Sequence, residues 1–209
     1  MESYDDPFET IRNTVVAISD STLPFSQTVA QKLAERRIQL VLGTSDSYNG
    51  FVAEMEKNFK PFILPVSYQR DSREEAGRFF EESKRYFTRF PGILIHEFHV
   101  PPVPLTVDKD LYAFEQAVQP YKKLAEVAAN HSSKVILVTP VADPRVLRLE
   151  EELALTTTQK VRELFQRQYE HLGIQFRNFL KGYEPLEIQV QNLLTNHVLS
   201  PNARQSPQP

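Results

Sequence analysis

A chain of 209 residues can bury one substantial core, and 41% hydrophobic with 24% charged residues is the balance of a globular protein rather than a fibrous or disordered one. A net charge of -3 with both signs mixed along the sequence suggests no basic face for phosphates, so neither nucleic acid nor an anionic membrane is expected as a partner. Zero cysteines exclude disulfides, thiolate catalysis and cysteine-ligated zinc; with the acidic start MESYDD and apolar runs too short to cross a bilayer, a cytoplasmic location is expected.

Short apolar runs alternate with longer amphipathic stretches from about residue 14 to about residue 180, the signature of a parallel sheet covered by helices. In chain order the pattern predicts a strand at Thr14–Ile18, a helix at Phe25–Arg36, a strand at Gln39–Leu42 and a helix at Tyr48–Lys57. A strand at Pro61–Val66 and a helix at Ser72–Phe90 follow; Ser72 and Glu75 form a Ser-x-x-Glu start, and Phe79, Phe80, Ser83, Phe87 and Phe90 share much of one face. After a strand at Gly92–Ile95, Pro101, Pro102 and Pro104 stiffen a loop. The remaining expectations are a helix at Leu111–Asn130, a strand at Lys134–Val138, a helix at Glu150–Leu172, a strand at Gln175–Phe179 and an amphipathic segment at Leu186–Leu199. The pattern predicts an α/β protein in three layers, a parallel sheet of about six strands covered by helices on both faces. A single domain is expected over residues 1–199, with a disordered tail at 200–209.

The first unit, TVVAISDSTLPFSQTVAQKLAERRIQLVLGTS, resembles the opening of the short-chain dehydrogenase/reductase family, with Val29, Ala30, Leu33 and Ala34 where the family places small and apolar helix residues. The resemblance continues through ILIHEFH, VILVTPVAD and GIQFRNFLKG, covers about residues 13 to 182, and implies a Rossmann-like, doubly wound sheet with a truncated C-terminal substrate region. It implies a cofactor turn Thr-Gly-x-x-x-Gly-x-Gly, in which glycines let the backbone approach a pyrophosphate at a helix N-terminus. The three glycine positions hold Asp20, Pro24 and Ser26. Asp20 adds negative charge and Pro24 removes an N–H donor, and both oppose an anion. The family's Asn-Asn-Ala-Gly at the end of the fourth strand corresponds to His96, Glu97, Phe98 and His99, and its Asp-Val after the third strand to Pro65 and Val66.

The family's catalytic Asn, Ser, Tyr and Lys project onto Ala113, Pro140, Leu153 and Thr157, none of which retains the chemistry. No Tyr-x-x-x-Lys occurs between Asp143 and Leu172 that a shift of register would recover. The resemblance thus implies no cofactor and no catalytic residues.

Other clusters read more simply as structure. His96, Glu97 and His99 are poorly spaced for a metal, so closing the crevice by packing and hydrogen bonding is expected of them. Asp20, Ser21 and Thr22 are helix-capping types, and Glu150, Glu151 and Glu152 complement a helix start.

Two predicted helices carry more apolar surface than one buried face requires. One stripe contains Leu111, Phe114, Val118, Tyr121, Leu124, Ala125 and Ala128; a second contains Leu149, Leu153, Val161 and Phe165. The resemblance implies that these helices form a four-helix subunit interface. The expected role is therefore an inactive subunit paired with an active homologous dehydrogenase/reductase, or self-association. The alternatives are a ligand-sensing regulator using a remnant crevice, and a structural half of a modular reductase.

Overall fold

A computed structural model describes residues 7–44, 50–68, 72–97, 119, 122–139, 163, 166–168, 170, 176–180 and 185–198. Six parallel strands form one sheet: β1 (Val15–Ile18), β2 (Gln39–Thr44), β3 (Ile63–Ser67), β4 (Ile93–Glu97), β5 (Lys134–Thr139) and β6 (Phe176–Leu180). Their order across the sheet is β3-β2-β1-β4-β5-β6, which makes the fold a doubly wound, Rossmann-like α/β structure. Helices among the described residues include α1 (Pro24–Glu35), α2 (Gly50–Phe59), α3 (Arg73–Phe87), α4 (residues 122–130) and α5 (Leu186–Leu193).

Alternation along the strands divides the core. Val16, Ile18, Leu40, Leu42, Ile93, Ile95, Ile136 and Val138 face α1, Met55 of α2 and α5, while Val15, Ala17, Val41, Leu94, Val135 and Leu137 face α3 and α4. A period of two with both faces apolar is what a sheet covered on both sides demands, and it explains why the strands read as unbroken hydrophobic runs.

The differences from the sequence boundaries have local causes. β2 and β4 run two residues further than the apolar pattern indicates, because Thr44 still pairs with Ser67 and Glu97 with Val138. β3 begins two residues late because a 3-10 turn, Lys60–Phe62, carries Pro61 ahead of it. α3 ends at Phe87 rather than Phe90, since Thr88 adopts a left-handed conformation with φ of 64°. Ser72 does cap α3, accepting from the Glu75 N–H at 3.3 Å, while the Glu75 carboxylate pairs with Arg78 at 2.6 Å.

The amphipathic C-terminal segment packs into the core. Val190, Leu193, Leu194 and Val198 join the α1 side of the core, and α5 lies against α1. Gln189 of the same segment is buried as well. Among the described residues no helix is long and apolar enough to cross a membrane.

Candidate functional site

Between β1 and β4 the strand order reverses, and the carboxyl ends of these strands border the crevice in which open α/β sheets hold ligands. The chain fills this place with its own polar side chains. Asp20, His96 and Glu97 are only 4%, 3% and 8% exposed, and Ser19, Ser21 and Ser26 are buried with them.

The two residues ending β4 point to opposite faces because strand side chains alternate. His96 lies on the α3/α4 side, where its Nδ1 is hydrogen-bonded to the hydroxyl of Ser19, just beyond β1. Glu97 lies on the α1 side, where its Oε2 accepts from the Ser26 hydroxyl at 3.1 Å. Ser26 is the third residue of α1, so a carboxylate already reaches the first turn of the helix. That is where the unpaired amides and the helix dipole favour an anion.

Tyr68 closes the crevice from the β3 side. Its hydroxyl donates to the Ser19 carbonyl at 2.9 Å and its ring stacks on Phe79 with centroids 4.7 Å apart. Gly43 makes this approach possible: a Cβ there would lie 2.4 Å from the Ser19 carbonyl oxygen and 2.6 Å from Tyr68 Cε1. Ser21 is tied to the same strand end, with both its N–H and its hydroxyl donating to the Gly43 carbonyl at 2.9 and 3.0 Å.

The β1–α1 turn corrects the expectation that Asp20, Ser21 and Thr22 cap the helix. The residue at the cap is Leu23, in an extended conformation and without a side-chain cap bond. Pro24 follows at the first helical position, where its lack of an N–H already removes one donor from the helix end. Asp20 instead folds the turn on itself, its Oδ1 accepting from the Thr22 N–H at 2.9 Å and the Thr22 hydroxyl at 2.6 Å.

The chain is similar in structure to a short chain dehydrogenase/reductase family oxidoreductase from Aeromonas hydrophila, at 8% identity over 92% of this chain and 93% of that one, with a TM-score of 0.66. It is also similar to NADH-dependent reductase A1-R' complexed with NAD, at 11% identity, coverage of 90% and 89%, and a TM-score of 0.71. A third similar structure is the NADPH-dependent 3-quinuclidinone reductase from Rhodotorula rubra, at 14% identity, coverage of 93% and 81%, and a TM-score of 0.67. The chain therefore has the fold of the short-chain dehydrogenase/reductases. No protein-family model and no curated protein matches its sequence.

The residues present do not fit the dinucleotide this fold usually carries. A pyrophosphate needs free amides and close backbone approach at the first turn. Here the turn offers the Asp20 carboxylate, the donorless nitrogen of Pro24, and at Ser26 a hydroxyl committed to Glu97.

The projected catalytic positions Ala113, Pro140, Leu153 and Thr157 lie outside the described residues, as do Phe98, His99 and the interface positions Leu111, Phe114, Val118, Tyr121, Leu149, Leu153, Val161 and Phe165. Leu124, Ala125 and Ala128 of the first apolar stripe are described, and they belong to the core beneath α4. Tyr68 and Gly43 are the site residues that sequence reading missed. An isolated glycine in an apolar strand signals close backbone approach, and Gly43 carried that signal.

Proposed function

We propose that this chain is a cofactor-free, non-catalytic protein of short-chain dehydrogenase/reductase fold that associates with an active homologous dehydrogenase/reductase as a structural or regulatory subunit. The observation that carries the first half is the Glu97 carboxylate at the first turn of α1. The position that would receive a phosphate holds an anion of the chain's own, and a second carboxylate, Asp20, lies buried in the turn that leads to it. Two negative groups beside a pyrophosphate oppose it by Coulomb repulsion that low-dielectric surroundings strengthen.

Substitution of all four catalytic positions in sequence, Ala113, Pro140, Leu153 and Thr157, supports the absence of hydride transfer. Support for association comes from the apolar residues of the two helix-forming segments, Leu111 to Tyr121 and Leu149 to Phe165, which exceed the needs of one buried face.

Native mass spectrometry of the protein isolated from its source tests the partner role. A stoichiometric complex with a complete dehydrogenase is expected, dissociated by Val161→Glu with Phe165→Glu. A monomer, recovered beside a dehydrogenase that never associates with it, contradicts the role.

A further inference from the structure

The opposite edge of the sheet carries a different charge pattern. Five turns lead into neighbouring strands: residues 60–62 into β3, 36–38 into β2, 12–14 into β1, 88–92 into β4 and 131–133 into β5. Four of these turns carry a cation, in the order Lys60, Arg36 with Arg37, Arg12 and Arg89; Lys134 opens β5 beside the fifth, and none of the turns contains an acidic residue. All but the half-buried Lys134 are exposed. The mixed signs of the linear sequence, which suggested no basic face, are sorted by the fold.

The turns are held side by side. Gly92 N–H donates to the Val15 carbonyl at 3.0 Å and Lys134 N–H to the Gly92 carbonyl at 2.9 Å, while the Arg89 guanidinium donates to the Asn13 carbonyl. Arg36 is held over the Phe8 ring at 5.0 Å. Adjacent strands lie about 4.8 Å apart, so the five turns make a row roughly 19 Å long. Among the described residues, exposed Glu9 pairs with Arg12 at 2.5 Å and exposed Glu35 precedes Arg36. Lys32, Lys57, Lys84 and Arg85 lie in the last turns of α1, α2 and α3, where Glu56 adjoins Lys57 and Glu82 pairs with Arg85 at 2.6 Å. Cations complement the carboxyl ends of helices, which accounts for their sign there. It does not require a cation at each of five adjacent strand starts.

We infer that this amino-terminal edge of the sheet is a docking surface for an extended acidic peptide segment of a partner protein. An extended chain of about six residues spans the row, and exposed guanidinium groups match carboxylates in fork geometry. Nucleic acid is the less fitting polyanion. The row is narrow and the molecule bears a net charge of -3, which repels a long polyanion beyond the patch.

Fluorescence anisotropy with a labelled decaglutamate peptide tests the surface on the full chain. Binding is expected at an ionic strength of about 0.02 M, weakening as salt rises to about 0.3 M. Arg37→Asn with Lys60→Gln should weaken it about tenfold, and asparagine suits the left-handed backbone at Arg37, whose φ is 59°. Unchanged circular dichroism and unfolding midpoint establish that the double variant is folded. No binding at low salt, equal binding of a decaglutamine peptide, or an unaffected double variant overturns the inference. Tighter binding of a single-stranded oligonucleotide of equal charge overturns it in favour of nucleic acid. Self-association abolished by the same substitutions overturns it in favour of a second copy.

Discussion

At the scale of single residues, the crevice is closed by contacts with little tolerance. Adding one methyl at Gly43 brings it within 2.6 Å of both the Ser19 carbonyl oxygen and the Tyr68 ring, so backbone or ring must move. Gly43→Ala is expected to destabilise the fold by about 1–3 kcal/mol in urea unfolding. Glu97→Ala leaves the buried Ser26 hydroxyl without its acceptor and is expected to cost about 1–3 kcal/mol in the same measurement. Far from the crevice, His131 stacks between Phe80 and Phe90, with centroids at 5.4 and 3.9 Å, while Lys84 sits over the Phe90 ring. Burial lowers its pKa from the ordinary value of 6.5; Glu81 opposes the shift and Lys84 adds to it. The folded state therefore holds fewer protons than the unfolded one. His131's contribution is fully present above 6.5 and is lost as pH falls through the folded pKa. Unfolding of His131→Phe should lose less stability than the parent between about pH 7.5 and about pH 5.

Residue types alone were an uneven guide here. His96 and Glu97 stood out as bulky, polar residues at a strand end, and both are buried and hydrogen-bonded. Asp20, Ser21 and Thr22 looked like caps because their side chains suit that role, but capping depends on which residue adopts the extended conformation, and that is Leu23. Tyr68 was not legible, because its partners Ser19 and Phe79 are distant in sequence and meet only when the sheet forms.

Among elements, α3 is the one whose limits the sequence marked at one end and obscured at the other. Ser72→Ala removes the oxygen that accepts the Glu75 amide and is expected to cost about 1 kcal/mol. At the other end, Thr88 holds a left-handed conformation that glycine adopts without strain. Thr88→Gly should therefore raise the unfolding free energy by about 1 kcal/mol. The helix-like phenylalanine spacing extends to Phe90 while the helix stops earlier, because Phe90 reaches a core position from the following turn, stacking on His131. The placement of α5 depended on tertiary packing: an apolar stripe states that a helix is buried on one side and not on what. Since Leu193 and Val198 complete the core beside α1, Leu193→Ala is expected to cost about 2–5 kcal/mol.

For the whole molecule, the alternation of apolar runs with amphipathic stretches was enough to predict a parallel sheet covered by helices, since both faces of such a sheet must be covered. Charge sorting was hidden, because Lys60, Arg37, Arg12 and Arg89 are scattered through 78 positions of sequence and become neighbours only through the strand order β3-β2-β1-β4. The result is a molecule whose carboxyl edge is closed around Asp20 and Glu97 and whose amino edge presents cations. The proposal that this chain holds no dinucleotide is tested most directly by calorimetric titration of the purified chain with NAD+, NADH, NADP+ and NADPH. No saturable heat is expected from any of the four at concentrations up to about 1 mM, where binding would correspond to about -4 kcal/mol. Stoichiometric binding of any of them at micromolar concentration would contradict the account.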